Sequence, residues 1–340
     1  MNNKIFYDVR PCLSRNAFIN IIVGGRGTGK TFNCKKFCIE DWLKHKRQFF
    51  YVRRYNTELE LSLNGFFEQL QHEGYFRDIE FRVQKKKGIT TFYIGDDIIG
   101  YACALSTALI MKSASFPDVY NLIFDEALIA RGSGYHYLRN ECVQFLELLE
   151  SIFRLRNGRV MILSNAITVA NPYYEYWHIL PKLDKEFELY HNGDICFQQV
   201  KNEAFTEVKK KSAVGRLIDG SEYGDYSINN VMLQDSDTFI ASKPYGSKFV
   251  CIISINGLKQ GIWRSDRLGA YFISGFYNPT CKTVYAFDTR SHDKDSMLVN
   301  KSNSEVFNIL KTAYDFGLLY FENQSQKKYV LEHLCSRNVL

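Results

Sequence analysis

Short apolar runs alternate with amphipathic stretches through the first half of the chain, the pattern of a largely parallel α/β sheet. FINIIV (18–23) reads as a buried strand, followed by a glycine-rich loop and a helix from Thr31 on which Cys34, Cys38 and Trp42 fall at i+4 steps. QFFYVRR (48–54), VYNLIFDE (119–126) and RVMILSNA (159–166) predict three further core strands. LNGFFEQLQHEGYF (63–76) predicts a helix, and NECVQFLELLESIFRLR (140–156) a strongly amphipathic one. FRVQKKKGITTFYIGDDIIGYACAL (81–105) breaks this rhythm, and its Gly-Asp-Asp between two β-rich runs predicts an antiparallel hairpin inserted into the α/β order.

The texture changes after about residue 195. KNEAFTEVKKKSAVGRLIDGSEYGDYSINN (201–230) is polar and includes Lys209, Lys210 and Lys211, which reads as a connecting segment, helical in part. Farther on, KFVCIISI and GIWRSD flank Asn256-Gly257, a strong hairpin signal. AYFISGFY and TVYAFDT add strands, then SEVFNILKTAYDFG predicts a helix, LLYFEN a strand and KKYVLEHLCSR a helix. Three antiparallel strands followed by mixed β and α is the order of an RNase H-like domain.

At 340 residues the chain exceeds the usual single-domain range, so two domains are the simplest expectation. With 46% hydrophobic and 24% charged residues it suits packed cores and not an extended disordered chain. A net charge of +6 is compatible with a polyanionic partner without requiring one. Nine cysteines with no C-x-x-C pair suggest reduced thiols in a cytosolic setting. MNNKIFYDVRPCLSRN lacks the apolar stretch of a secretory signal, and the longest apolar runs are too short for a bilayer, so neither export nor a membrane is expected.

GGRGTGKT (24–31) narrows the chemistry most. It satisfies G-x-x-x-x-G-K-[ST] in full, with an apolar strand before it and a helix after. Gly24, Gly25, Arg26, Gly27, Thr28 and Gly29 would turn backbone N–H groups toward a β-phosphate at a helix N-terminus, where the dipole favours anions. Lys30 would reach the β- and γ-phosphates, and the Thr31 hydroxyl would bind Mg²⁺. ATP and Mg²⁺ are thus the expected cofactors. In LIFDE (122–126), Asp125 would reach the same Mg²⁺ through water, and Glu126 would polarise the attacking water. Adjacent Asp and Glu mark the ASCE division of P-loop ATPases, in which the catalytic glutamate follows the metal aspartate. Ser164 and Asn165 close the fourth strand, and Asn165 is the residue expected to sense the γ-phosphate. The fold expected is therefore α/β: an ASCE P-loop NTPase domain over 1–200, a linker over 201–245 and an RNase H-like domain over 246–340.

Arginines come next, because ring ATPases borrow one from a neighbouring subunit. Arg154 and Arg156 end the 140–156 helix, and Arg53 and Arg54 close the second strand, with nothing in the spacing to say which of that pair turns inward. For nucleic acid the candidates are Lys85, Lys86 and Lys87 in the hairpin, Arg131 in the glycine-bearing loop after Glu126, and the lysines at 209–211.

The P-loop G-R-G-x-G-K, FFYVRRYNTEL (49–59), MKSASFPDVYNLIFDE (111–126), FRLRNGRV (153–160), LSNA (163–166) with NPYY (171–174), and GRLIDGSEYG (215–224) together make the chain resemble the DNA-packaging ATPases of the φ29-type small tailed bacteriophages over nearly its whole length. The last segment has no generic ATPase explanation. The resemblance implies a homopentameric ring at the portal vertex of a procapsid, driving double-stranded DNA through its pore with ATP, in the host cytoplasm and transiently on the procapsid, with a structural RNA as an optional further partner. It makes Arg154 the arginine finger acting in trans, Lys112 a basic residue at the subunit interface, and Arg53 part of the coupling machinery. It makes the post-Glu126 loop a DNA grip, for which Arg131 is the basic residue present in ALIARGSG. The RNase H-like domain would be a vestigial nuclease: KFVCIISI carries no aspartate, and Asp288 with Glu322 alone leaves a two-metal site incomplete. The residues by themselves leave open another ASCE ring motor, such as a helicase, and a nucleotide-gated scaffold without turnover.

Overall fold

The computed structural model describes residues 6–86, 88–129, 136–165, 171–179, 181, 185–221, 239–255, 257–299, 305–324, 326–327 and 329–331, with the backbone alone at 109, 110, 112, 113, 307 and 315. The chain forms two compact units, Met1–Thr168 with Leu183–Leu233, and Val169–Lys182 with Gln234–Leu340.

In the first unit, α1 (Arg10–Leu13) precedes β1 (Ile19–Val23), α2 (Lys30–His45) and β2 (Gln48–Arg53). Then come α3 (Asn56–Leu63), α4 (Glu68–His72), β3 (Phe81–Lys86), β4 (Ile89–Ile94), β5 (Asp97–Ala104) and a 3-10 segment, Leu105–Ser113. β6 (Val119–Phe124), α5 (Glu141–Phe153) and β7 (Arg159–Ser164) complete the run to the point where α6 (Pro172–Tyr176) belongs to the second unit. β8 (Phe187–Tyr190), β9 (Ile195–Gln199), α7 (Glu203–Lys211) and α8 (Ala213–Ile218) return to the first. The sheet order is β3-β4-β5-β2-β6-β7-β1-β9-β8. Pairings from β5 through β9 are parallel, and β3–β4, β4–β5 and β8–β9 are antiparallel. Both faces of the central strands are covered, so all five residues of β1 are buried and the strand reads as a continuous apolar run without alternation. β7 lies between β1, which leads into the P-loop, and β6, which leads into Asp125 and Glu126. This interposed strand is the ASCE arrangement that the adjacent Asp-Glu pair predicts.

Three local expectations change. The 63–76 helix is broken: α3 starts earlier, at Asn56, where the Glu58 carboxylate reaches back to the Tyr55 N–H at 3.4 Å, and Gly65 (φ 74) separates it from α4. The inserted hairpin is a three-strand meander with a second turn before β4. β9 was hidden because ICFQQ ends in glutamines, yet Gln198 is buried and accepts the Tyr7 phenol at 2.9 Å. Aromatic packing holds α4 and its entry loop on the sheet, with Phe66 stacked 4.8 Å from Phe92 and Phe67 stacked 4.1 Å from Phe81.

In the second unit, β10 (Lys248–Ile255), β11 (Leu258–Ser265) and β12 (Ala270–Ser274) form the RNase H-like antiparallel meander, with Ile255 paired to Leu258; Asn256 of the expected turn lies outside the described residues. β13 (Val284–Ala286) joins β10 in parallel, β14 (Met297–Leu298) follows it, and α9 (Glu305–Asp315) precedes β15 (Leu319–Phe321), which adds in parallel to β12. The order is β14-β13-β10-β11-β12-β15, over a core that includes Ile253, Ile262, Leu310 and Phe321.

Candidate active site

The carboxyl ends of β1, β6 and β7 meet in one cleft, lined by Arg26 through Phe32, Gln69, Asp125, Glu126, Leu163, Ser164 and Asn165. Gly29 caps α2 with φ 89, a left-handed conformation that glycine adopts without a Cβ penalty. Lys30 is buried and its ammonium donates to the Gly24 carbonyl at 2.7 Å and the Gly25 carbonyl at 3.0 Å. Burial pulls its pKa down to about 8, with the Asp125 carboxylate opposing.

Thr31 and Asp125 lie 94 residues apart in sequence, yet the hydroxyl donates to Asp125 Oδ1 at 2.8 Å. The other oxygen of Asp125 accepts the Tyr51 phenol at 2.9 Å and Arg53 Nη1 at 3.3 Å. Burial and the Asp125 charge push the Tyr51 phenol well above its usual range, so it stays a neutral donor. A hydroxyl beside a fixed carboxylate is a hard-oxygen pair suited to Mg²⁺, which takes few protein ligands and keeps waters and phosphate oxygens for the rest. Among the described residues no cluster of three or more His, Cys, Asp or Glu competes as a metal site.

Glu126 follows at φ 53, a left-handed conformation uncommon outside glycine that turns the chain sharply off β6. Its exposed carboxylate reaches the cleft and accepts Arg53 Nη2 at 2.7 Å. Of the arginine pair left open by spacing, Arg53 is therefore the one facing the site. Arg54 is fully buried: it holds Glu141 at the start of α5 through Nε and Nη2, at 2.7 and 2.9 Å, and donates to the carbonyls of Glu126 and Ala127. Arg54 was offered by sequence only as the other half of a doublet, and the signal that could separate the two is strand alternation, which sends neighbours to opposite faces. Breaking a buried ion pair strands a charge, so Arg54→Ala is expected to cost about 3–5 kcal/mol of stability, read as a lower urea midpoint of the full chain; a midpoint unchanged from the parent would contradict this bridging role.

Ser164 accepts the Leu128 N–H at 2.8 Å, and the Ala127 N–H bonds the Leu163 carbonyl at 3.0 Å, so the loop after Glu126 is tied to the end of β7. Asn165, the next residue, lines the cleft. Arg154 caps α5 at φ 53 and ψ −114. It is exposed, does not line the cleft, and its side chain has no hydrogen bond or ion pair among the described residues. Arg156, its rival, is committed to structure, donating to the carbonyls of Phe116, Pro117, Val119 and Ile152. Leu155 between them is also fully exposed.

A second cleft shares Gly27, Gly29, Phe32 and Gln69 with the first and adds Phe6, Asn33, Lys36 and Tyr75. This aromatic and polar lining was not anticipated, because its parts come from the N-terminal segment, α2 and the turn after α4. Phe6 and Tyr75 put aromatic rings in its lining, the kind of side chain on which a purine base stacks.

Of the remaining candidates, Lys85 and Lys86 are exposed on edge strand β3, with five strands between it and β1. Lys87 and Arg131 lie outside the described residues, as does the side chain of Lys112. In the second unit Asp288 accepts the Ser291 N–H and hydroxyl, both at 2.8 Å, and Glu322 accepts the Ser274 hydroxyl at 2.8 Å and the Gly275 N–H at 3.0 Å. They follow β13 and β15, strands separated in the sheet by β10, β11 and β12.

A strand–P-loop–helix unit, with an Asp-Glu strand two places along the sheet and a polar-ended strand between, defines a P-loop NTPase of the ASCE division. The chain belongs to the podovirus DNA encapsidation protein (Gp16) family, whose model matches residues 1–339. It is 34% identical over 326 residues to the DNA packaging protein of Bacillus phage phi29, covering 95% of each chain. It superposes on a chain of the bacteriophage phi29 viral genome packaging motor assembly with a TM-score of 0.72 and 32% identity, covering 99% of this chain and 100% of that one. The N-terminal domain of the DNA packaging ATPase from bacteriophage phi29 matches 58% of this chain and 97% of its own, at TM-score 0.52 and 33% identity. It is a viral DNA-packaging protein. Among the described residues no helix is long and apolar enough to cross a membrane.

Proposed function

We propose that the chain hydrolyses ATP at this cleft, as one subunit of a ring that drives double-stranded viral DNA through the portal of a procapsid. The observation that carries the reading is the contact of Thr31 with Asp125 at 2.8 Å, with Glu126 beside it at the mouth of the P-loop. Lys30 would exchange its bonds to the Gly24 and Gly25 carbonyls for β- and γ-phosphate oxygens. Thr31 and Asp125 would hold Mg²⁺, which when bound neutralises phosphate charge. Arg53 holds the Glu126 carboxylate in place, and Glu126 takes the proton of the attacking water while Asn165 orients it. The base would rest on Phe6 and Tyr75.

Arg154 has no work in its own subunit's cleft, and its exposure on a strained turn suits a finger that enters the neighbour's site. Such a head-to-tail interface builds a ring when its rotation closes, and a pentamer is the number the phi29-type resemblance favours. The second unit is proposed as a docking or DNA-contacting domain without nuclease activity. Asp288 and Glu322 are too far apart in strand order to share two metals, and each is already occupied by local donors. Arg131 and Lys85, Lys86 and Lys87 remain proposed phosphate contacts, Lys112 an interface residue, and the portal and a structural RNA further partners.

The test is ATP turnover by the full chain on procapsids. Intact duplex DNA is expected to raise it without strand separation. Turnover indifferent to DNA would contradict the motor, and unwinding would make the protein a helicase.

A further inference from the structure

The segment that follows β9 packs along the outer side of the P-loop. The Val200 N–H bonds the Val23 carbonyl at 2.7 Å, and a Cβ at Gly24 would stand 2.7 Å from that of Val200, so only glycine fits there. Asn202 caps α7 through the Phe205 N–H at 2.9 Å. One turn on, the Phe205 ring lies against Gly27, where a Cβ would come within 3.3 Å of it. One further turn brings Lys209 Nζ to the Arg26 carbonyl at 2.8 Å.

The last contact has a consequence for phosphate binding. In a planar trans peptide the carbonyl of one residue and the N–H of the next point in opposite directions. A donor that holds the Arg26 carbonyl on the outside therefore turns the Gly27 N–H to the inside, toward the cleft that Gly27 lines. The same logic operates at the next turn of the loop, where the Tyr7 N–H takes the Thr28 carbonyl at 2.9 Å and so aims the Gly29 N–H. Anion sites of this kind gain from donors fixed before the ligand arrives, since no reorganisation is then required.

We propose that Lys209 and Phe205 are positioning residues of the phosphate site: α7 fixes the Arg26–Gly27 peptide so that its N–H faces the triphosphate. α7 and α8 belong to the first unit and not to the linker expected over 201–245, so the loop that grips phosphate is gripped in turn from within its own unit. The lysine run from 209 to 211, read in sequence as a solvated or DNA-facing charge cluster, thus contributes its first member to the nucleotide site.

The inference rests on ATP binding at the P-loop, and the experiment separates the two. Dissociation constants for ATP and for inorganic tripolyphosphate are measured by calorimetry on the full chain and on Lys30→Ala, Lys209→Met, Lys209→Arg and Phe205→Ala. Lys209→Met is expected to weaken both ligands alike, by roughly tenfold, the worth of one charge-assisted hydrogen bond. Arg at the same position should restore both. Phe205→Ala, which removes no charge, should also weaken both, because the effect runs through the loop and not through the field of the lysine. Loss of affinity in Lys209→Met with Phe205→Ala unaltered reduces Lys209 to a distant charge and overturns the proposal, as does failure of Arg to rescue. Unchanged affinity in Lys209→Met overturns it outright while leaving the P-loop reading intact. Normal binding by Lys30→Ala would remove the P-loop reading and this inference with it.

Discussion

Glu126→Gln is expected to bind ATP about as well as the parent chain and to lose turnover by about 10²–10⁴-fold, the range for removing a general base. The amide keeps the size and the hydrogen-bonding oxygen of the carboxylate but cannot accept the proton of the attacking water. Binding should survive because the phosphates are held by Lys30 and the loop, and the proposed metal pair of Thr31 and Asp125 is untouched. Arg53 keeps its second carboxylate, Asp125, at 3.3 Å, so the local charge balance changes by one and not two. Single-turnover hydrolysis measured beside equilibrium binding separates the two effects. Hydrolysis at the parent rate would remove Glu126 from the chemistry. A variant that no longer binds ATP would make the residue structural.

Much of this site could be read from sequence because its parts are local. Gly24 to Thr31 is one contiguous motif whose phosphate-binding pattern is contained in eight residues, and the apolar strand and helix around it are evident from periodicity. Asp125 and Glu126 were legible because a buried parallel strand has one end facing the ligand, and two carboxylates at that end have few other uses. The division between Arg53 and Arg54 could not be read, since it depends on which face of β2 meets Asp125 and which meets α5. Nor could the split between Arg154 and Arg156, which is decided by four backbone carbonyls that only folding assembles. In the fold, the meander β10 to β12 followed from its turn residues, whereas β9 did not, because its buried Gln198 is satisfied by Tyr7 and Glu186 from elsewhere in the chain. The aromatic cleft beside the P-loop was invisible for the same reason: Phe6, Phe32 and Tyr75 become neighbours only through the third dimension.

The largest single effect is expected at Arg154. Replacing it with alanine leaves the residue's own cleft intact, because its side chain does not enter that cleft. If Arg154 completes the site of the adjacent subunit, the ring nevertheless loses about 10³–10⁵-fold in turnover, roughly 4–7 kcal/mol of transition-state stabilisation. ATP affinity should change far less, since the finger acts on charge that develops during transfer. Arg154→Lys should recover only part of the rate, because an ammonium is a point charge and cannot offer the planar fork of a guanidinium.

The central claim, that each P-loop works only with a neighbour's arginine, has a direct test in mixed rings. Arg154→Ala subunits retain a complete P-loop, and Lys30→Ala subunits retain the finger. Each alone should be inactive. Mixed in varying ratios on procapsids with duplex DNA, they should regain ATP turnover that peaks at intermediate composition, where an intact P-loop meets an intact finger. Activity that stays at background across every ratio would contradict the account.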